Sequence, residues 1–311
     1  MSTRRREFLA QTAAAVVAAA ATSIHVGQAA EVTGAGAKTP MPGNTTAHKL
    51  GPRIKSVIRR EETLLRYGGN GDAYHMSWAG DDRQYVSLCD GSGFSDQFKS
   101  FYNSRMFAIE GGPSDAKFRD LPAYPLLGYP VQKQTDPRYY NFGTLALDGR
   151  LYQFMSTLNR AMSAEESKEP SKISNANLQR FIGAKLIYSP DNGRTWCNQD
   201  DSTPVVWEPW DRRSRDTMVF FEEPQEAFSL LSVLQMGRNY GANRDGYVYI
   251  YSPNGNTDGT MNQLVMLRVA KQRLLHRGAY EYFAGIRADG NAKWSKEIDE
   301  RTVVHTFPAV G

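Results

Sequence analysis

Short apolar runs separated by turn residues make up most of the chain after residue 70. Asp-Gly pairs at 148–149 and 245–246 each stand next to an apolar segment, and such pairs favour tight β-hairpin turns. Together, these signals predict antiparallel strands in three groups, within residues 75–110, 143–196 and 228–269. The groups are not strict sequence repeats, but similar strand–turn–strand units recur.

Three segments depart from this pattern. Residues 111–140 are rich in Pro and Tyr and predict a long connection, while the polar segment 163–177 predicts an exposed loop. Lys271 to Tyr282 reads as a short amphipathic helix, with Leu274 and Leu275 as its buried positions.

One turn carries a recognisable pattern. Ser189-Pro-Asp-Asn-Gly-Arg-Thr-Trp196 fits S-x-D-x-G-x-T-W, the Asp-box pattern of β-propeller proteins. Gly193 is free to adopt positive φ, the carboxylate of Asp191 can accept hydrogen bonds from the turn amides, and Trp196 can cover the hairpin base. The pattern indicates architecture rather than chemistry. It favours an all-β propeller over a β-sandwich, which the hairpins alone would also fit.

The N-terminus resembles a twin-arginine export signal. Arg5-Arg6 precede Phe8-Leu9, an Ala/Val run covers 13–21, and small residues at 27–30 offer a cleavage site. The sequence therefore predicts a signal peptide at 1–30, a flexible leader at 31–52 and a propeller domain at 53–311. The expected location is periplasmic or extracellular, with no membrane span after cleavage.

The charge balance argues against nucleic acid as a partner. Without residues 1–30 the chain keeps 34 basic and 32 acidic residues, a nearly neutral balance. The two cysteines, Cys89 and Cys197, are expected as thiols, with a single disulfide as the alternative. No cofactor or zinc-spaced cluster is expected, although a structural Ca²⁺ ion would be compatible with the fold. A monomer is expected.

Two acidic residues are the best candidates for catalysis. Asp72 stands at the beginning of one predicted strand and Asp90 at the end of its antiparallel neighbour, so both should reach one rim. Glycoside hydrolysis needs two such carboxyl groups, one as acid and one as base or nucleophile. Capping of the strand ends is an equally weighted alternative. Tyr74, His75 and Trp78 are candidates to contact a sugar.

The remaining candidates have structural alternatives of greater or similar weight. Asp82, next to Asp81, could bind substrate, but a solvated hairpin turn is favoured. In the segment around Tyr240 and Arg244, the Arg side chain could bind substrate or pair with Asp245. His305 could face the central pore, although a lone histidine is more often structural.

These residues resemble a family of secreted bacterial propeller proteins that includes endo-D-arabinanases, glycoside hydrolases that cut mycobacterial arabinogalactan. The matching segments are Gly71-Asp72, 78–82, 90–94, the Asp box, 239–253 and 279–285 with Trp294, and the resemblance covers about residues 65–308. It implies a five-bladed propeller whose carboxylate pair falls on Asp72 and Asp90. The sequence shows three groups of blade strands and part of a fourth. Either 95–140 and 200–230 contain further strands, or the propeller is incomplete at its C-terminal end.

The sequence therefore predicts an exported glycoside hydrolase acting on a furanose-containing polysaccharide such as arabinan. One alternative is a glycan-binding propeller without catalysis. The other is a polysaccharide lyase, which would need a Tyr or His base beside an arginine, with Tyr74, His75 and Arg244 available.

Overall fold

The computed structural model describes residues 55–94, 101–128, 137–158, 180–255 and 260–308. The chain divides into two units, 1–60 and 61–311. Residues 55–60 of the first unit form no regular element. The proposed signal peptide, the predicted leader at 31–52 and the predicted loop at 163–177 lie outside the described residues.

The described residues of the second unit form three antiparallel sheets. The first sheet contains β1 (Asn70–Trp78), β2 (Gln84–Gly93), β3 (Tyr102–Glu110), β4 (Lys117–Asp120) and β5 (Leu127–Gly128). The second contains β6 (Tyr139–Leu147), β7 (Arg150–Leu158), β8 (Phe181–Ser189), β9 (Cys197–Asn198) and β10 (Phe220–Phe221). The third contains β11 (Ser232–Val233), β12 (Tyr247–Pro253), β13 (Gln263–Ala270), β14 (Glu281–Ile286), β15 (Ala292–Ser295) and β16 (His305–Thr306).

The only helical elements among the described residues are single 3-10 turns. They are Glu61–Thr63, Trp210–Arg212, Pro224–Glu226, Arg238–Tyr240, Lys271–Arg273, Arg277–Ala279 and Ile298–Glu300. None of these is long enough to cross a lipid bilayer.

Each sheet is built mainly from strands that follow one another in the chain, in the orders β1-β2-β3-β4, β6-β7-β8-β10 and β11 to β15. A sandwich would distribute consecutive strands between two sheets, whereas propeller blades are sequential meanders. The all-β propeller prediction is therefore confirmed at this level. The described residues form three blade-like sheets, and the five blades implied by the resemblance stay a prediction.

The strand pattern explains where the core lies. In β12 the side chains alternate, so that Val248 and Ile250 are fully buried between tyrosines that are partly exposed. They join Phe154 and Leu186 of the second sheet in one hydrophobic cluster. On the other side of the second sheet, Ala146, Leu151 and Ile187 join Tyr85 and Met106 of the first sheet in a second cluster. The second sheet therefore contributes to the cores on both sides.

Two local predictions are confirmed. Asp148 and Gly149 form a two-residue turn between β6 and β7 with φ of 49° and 77°, as an Asp-Gly hairpin requires. In the turn from Ser189 to Trp196, Gly193 has φ of 88°. Asp191 accepts hydrogen bonds there from the amides of Arg194 and Thr195 at 3.1 and 2.8 Å.

Two other predictions are wrong. The expected helix from Lys271 to Tyr282 is two separate 3-10 turns followed by β14, although Leu274 is buried as expected. Tyr282 pairs with Leu267 in the neighbouring strand, so tertiary pairing overrides a weak helical pattern. The expected connection at 111–140 contains the short strands β4 and β5.

Candidate active site

The strongest candidate site lies at the open end of the β1–β2 hairpin. Asp72 pairs with Cys89, and the register shifts on both sides of Asp72, as in a β-bulge. Asp90 has φ of 51°, an uncommon conformation for a residue other than glycine. Such backbone outliers concentrate at functional sites. The backbone is therefore irregular at Asp72 and Asp90, and side chains do not simply alternate between the two faces of the sheet there.

The thiol of Cys89 holds the Asp72 carboxyl group. Cys89 Sγ donates a hydrogen bond to Asp72 Oδ1 at 3.0 Å. Burial raises the pKa of this thiol well above its usual value, and the negative charges of Asp72 and Asp90 add to the effect, so it remains a protonated donor. Burial also raises the pKa of Asp72, and the thiol hydrogen bond opposes that rise.

Asp90 is held by an amide that is itself fixed. Asn103 is fully buried; its Nδ2 donates to Asp90 Oδ1 at 3.3 Å, and its Oδ1 accepts from the Tyr139 amide at 3.1 Å. Burial raises the pKa of Asp90 to about 6, and the charge of Asp72 adds to the rise. Asn103 and the nearby Arg138 act in the opposite direction. The charge of Asp72 therefore reaches the carboxyl group of Asp90.

Aromatic rings surround these carboxyl groups. Tyr74 packs on Phe94 with ring centroids 5.6 Å apart, and its pKa is raised by burial and by the charge of Asp72. On the second sheet Tyr140 packs edge-on against Phe181, also at 5.6 Å. Burial raises the pKa of Tyr140, and the charge of Asp90 contributes to that rise. Such partly exposed rings offer apolar faces on which a sugar could stack.

His75 is an uncharged member of the same strand. Its ring lies 5.4 Å from that of Phe142, and burial lowers its pKa to about 4. The imidazole is therefore neutral at physiological pH and adds no positive charge beside Asp72.

Trp78 and Asp82 lie at the opposite end of the same hairpin. Six residues separate Asp72 from Trp78 along β1, which corresponds to roughly 20 Å of strand. Trp78 Nε1 donates to Asp82 Oδ1 at 3.0 Å, and Arg238 Nη1 lies 3.4 Å from the same oxygen. The structure therefore does not bring these two residues together with the carboxyl pair.

A cleft of about 530 Å³ lies at this turn end, lined by Asp81, Arg83, Asn192–Arg194 and Leu121–Ala123. The Asp81 carboxylate there accepts hydrogen bonds from the Arg83 amide and the Tyr85 hydroxyl. These are the contacts of a turn, and no second acidic residue lines the cleft. The open end of the hairpin remains the better candidate for chemistry.

The candidates on the third sheet have contacts of their own. Tyr240 is fully buried, and its hydroxyl donates to the Tyr247 carbonyl at 3.2 Å. Arg244 is exposed. His305 is exposed in β16, where it pairs with Leu264 and packs on Phe307 at 4.7 Å. No described contact links any of these three residues to Asp72 or Asp90, and their substrate-binding roles stay predictions.

Four residues of the site were not identified from the sequence: Cys89 as a partner of Asp72, and Asn103, Arg138 and Tyr140. Only Cys89 had a signal, because its position beside Asp90 at the end of a strand places it opposite the Asp72 segment. Asn103 and Tyr140 reach the site through the packing of the first sheet on the second. Cys89 and Cys197 are both free thiols.

No cluster of three or more His, Cys, Asp or Glu side chains suited to a metal occurs within the described ranges. A structural Ca²⁺ ion stays an untested suggestion.

No protein-family profile matches the chain, and no curated protein matches it. Among solved structures, a Bacteroides ovatus protein described as a hydrolase is similar at 13% identity and a TM-score of 0.40, over 76% of this chain and 57% of that one. The polysaccharide lyase Uly1 gives 9% identity and a TM-score of 0.32, over 76% and 50%.

An α-L-arabinofuranosidase from Lactobacillus brevis gives 12% identity and a TM-score of 0.31, over 75% of this chain and 67% of that one. The chain spans little more than half of the length of the Bacteroides ovatus protein, 57%. Likenesses this distant carry no argument about what the chain does.

Proposed function

We propose that the chain is an exported glycoside hydrolase that uses Asp72 and Asp90 on a furanose-containing polysaccharide. The observation that supports this most is the pair of partly buried carboxyl groups at one end of the β1–β2 hairpin, with the pKa of Asp90 raised to about 6. Paired carboxyl groups with different pKa values are the machinery of acid–base glycoside hydrolysis.

Asp90 suits the role of general acid. Its raised pKa keeps a substantial fraction protonated in mildly acidic solution, so it can donate a proton to the departing glycosidic oxygen. The Asn103 amide holds Asp90 Oδ1 in place. The backbone amide of Tyr139 fixes that asparagine in turn.

Asp72 suits the role of base or nucleophile. The Cys89 thiol donates to its carboxylate and favours the charged form. In that form the oxygens can activate water or attack the anomeric carbon, which develops positive charge in the transition state. Tyr74 and Tyr140 would flank the sugar. The preference for a furanose rests on the resemblance to endo-D-arabinanases, and export rests on the twin-arginine pattern.

The two alternatives have less support. A lyase that uses Tyr74 as its base would need a lowered phenol pKa, and the pKa of Tyr74 is raised by burial and by Asp72. Arg244, the arginine such an enzyme would need, shows no contact with Tyr74 or His75 among the described residues. A purely binding propeller gives no reason for two partly buried carboxyl groups to share one end of a hairpin at the expense of their desolvation.

The decisive experiment incubates the purified chain with linear arabinan, arabinogalactan and an acidic polysaccharide. We expect new reducing ends from the arabinan-containing polymers, and a loss of at least about a thousandfold in kcat/KM in Asp72→Asn and Asp90→Asn. The exposed Asp211→Asn is the matched control and should retain wild-type activity.

Each other outcome has a distinct meaning. Unsaturated uronates released from the acidic polysaccharide would replace the hydrolase with a lyase. Binding of arabinan by the folded chain without any product would favour the binding module, and equal activity in all three variants would remove Asp72 and Asp90 from the mechanism.

A further inference from the structure

A second polar site lies beside β10, between the loop residues that flank this strand and the 3-10 turn Arg277–Ala279. Arg215, Val219, Glu223 and Arg277 line a cavity of about 180 Å³. This space can hold several water molecules or one small ion. Among the described residues that line it, Glu223 alone carries a carboxylate, and its side chain is 5% exposed, against 35% for Arg277 and 66% for Arg215. The cavity therefore has a buried acidic wall and a more exposed basic one.

The two arginines are only partly satisfied by Glu223. Arg215 Nη2 lies 3.4 Å from one carboxylate oxygen, and Arg277 Nη2 lies 3.4 Å from the other. Strong charge-assisted pairs are usually about 2.7–2.9 Å long, and each guanidinium carries five N–H donors. Two positive charges facing one negative charge leave the cavity with an excess positive charge. Arg215 also donates from Nε to the Phe221 carbonyl at 3.3 Å and from Nη2 to the Glu222 carbonyl at 3.5 Å. Each guanidinium still carries more N–H groups than these contacts use.

Aromatic packing holds one of these cations in place. The Arg277 guanidinium lies 4.4 Å from the centre of the Phe220 ring and 5.7 Å from that of Tyr282. The Tyr282 hydroxyl is buried, and no acceptor for its O–H lies at hydrogen-bond distance within the part of the chain that the structure describes. Burial raises the pKa of Tyr282 to about 12, and Arg277 opposes that rise. The neutral Tyr282 hydroxyl is thus a donor without an acceptor, and its ring lies beside the Arg277 guanidinium.

The backbone that carries Glu223 is unusual. Within 222–228 four residues other than glycine have positive φ: Glu222 (49°), Gln225 (63°), Glu226 (55°) and Phe228 (58°). Packing and an arginine enforce this conformation, because Phe228 is fully buried and Arg301 Nη2 donates to the Pro224 carbonyl at 3.0 Å. Clusters of such outliers mark ligand clamps and other functional segments.

We propose that this cavity binds a small oxyanion, either free phosphate or sulfate or the carboxylate of an acidic sugar. The anion would accept from the guanidinium donors that face away from Glu223, and the fixed Glu223 would keep both arginines oriented. The charge of Arg301 also reaches Glu223 and Tyr282. The proposal does not depend on the hydrolase activity, since none of these residues contacts Asp72 or Asp90 among the described interactions.

The test measures anion binding to the full chain by calorimetry and thermal unfolding. Sodium phosphate, sodium sulfate and glucuronate are compared at ionic strength matched with sodium chloride, with glucose as the uncharged control. We expect saturable binding of at least one oxyanion and a rise in Tm that chloride does not produce.

The variants separate this site from general charge attraction. Arg215→Gln removes an exposed guanidinium group and should raise the dissociation constant of the anion by about tenfold or more. Arg277→Gln removes the second arginine of the lining and should also raise the dissociation constant. Arg287→Gln, which removes an exposed arginine outside the cavity, should bind like the wild type.

Tighter binding of glucuronate than of phosphate would identify a sugar acid as the ligand, and the reverse order would identify a free anion. Stabilisation equal to that by chloride would overturn the proposal. An anion affinity unchanged in both Arg215→Gln and Arg277→Gln would also overturn the proposal.

Discussion

The environment of Asp90 disfavours the charged form of its carboxyl group. A carboxyl group whose pKa is higher in the folded than in the unfolded chain binds protons more tightly when folded. Its favourable contribution to stability is therefore complete below about pH 4, the unfolded pKa of an aspartate, and is lost as pH rises through about 6. At neutral pH the ionised Asp90 destabilises the fold.

Asp90→Asn should therefore make the protein more stable at pH 7, by about 2–3 kcal/mol, because a shift of one pKa unit corresponds to about 1.4 kcal/mol. Asparagine also tolerates the positive φ of this position. Urea unfolding at pH 7 and near pH 4 checks this, since the gain should shrink at the lower pH. A variant less stable than the wild type at pH 7 would contradict the assigned environment.

The Cys89 thiol should set the acidic limb of the pH–activity profile. Because it donates to the Asp72 carboxylate, Cys89→Ala should raise the pKa of Asp72 and move the limb of kcat/KM upward by about half a pH unit. Cys89→Ser replaces the thiol with a stronger donor and should move the limb downward. Identical acidic limbs in both variants would show that Asp72 does not act as the ionised partner.

At the level of elements, the β1–β2 hairpin depends on a close backbone approach at Gly91. A Cβ atom at this position would lie 2.1 Å from the Asn70 carbonyl oxygen and 2.3 Å from the Gly71 Cα. Both atoms belong to the backbone of the facing strand, so they cannot move aside cheaply. The same approach keeps Asp72 and Asp90 on one end of the hairpin.

Gly91→Ala should lower the free energy of unfolding by about 2–4 kcal/mol and reduce any activity of the carboxyl pair. Gly278→Ala is the control, since a Cβ atom there would meet nothing within 4 Å. Denaturant unfolding of both variants gives the comparison. Equal, small losses of unfolding free energy in the two variants would mean that β1 and β2 can move apart at Gly91 at little cost.

How far the sequence predicts an element depends on how local its determinants are. The Asp148-Gly149 turn and the Asp191 hydrogen bonds follow from residues a few positions apart, and they were predicted correctly. The conformation of the segment around Leu274 differs from the prediction, because pairing of Tyr282 with Leu267 decides it. Local chemistry is visible in one sequence, whereas pairing between distant strands is not.

At the scale of the whole molecule, Asn141 joins the first sheet to the second. Its Nδ2 donates to the carbonyls of Leu88 and Arg105 at 3.0 and 2.8 Å, and its Oδ1 accepts from Ser104 and Tyr124. The residue is fully buried. No sequence pattern marks it, since its four partners come from other strands and loops. No sequence pattern marks Asn103 either. It donates to Asp90 in the first sheet and accepts from the amide of Tyr139 in the second sheet.

Asn141→Leu should cost about 3 kcal/mol or more, because a side chain of similar size leaves two buried carbonyl groups and two hydroxyl groups short of a partner. Chemical unfolding followed by near-ultraviolet circular dichroism measures the loss. A free energy of unfolding within about 0.5 kcal/mol of the wild type would show that the two sheets are held by apolar contacts alone.

The β1–β2 hairpin is tied to both neighbouring sheets at its turn. There the Tyr85 hydroxyl oxygen lies 3.1 Å from the Asn192 carbonyl oxygen, and Arg238 pairs with Asp82. The opposite end carries the carboxyl pair, beside Gly71 and Gly93 with φ of 146° and 75°. The turn of the hairpin thus contacts the loop after β8 and the 3-10 turn before β12. Because Asp72 and Asp90 belong to one hairpin, a tilt about this turn would carry both carboxyl groups together relative to Tyr140 of the second sheet, so the contact of Asp82 bears on where the pair stands.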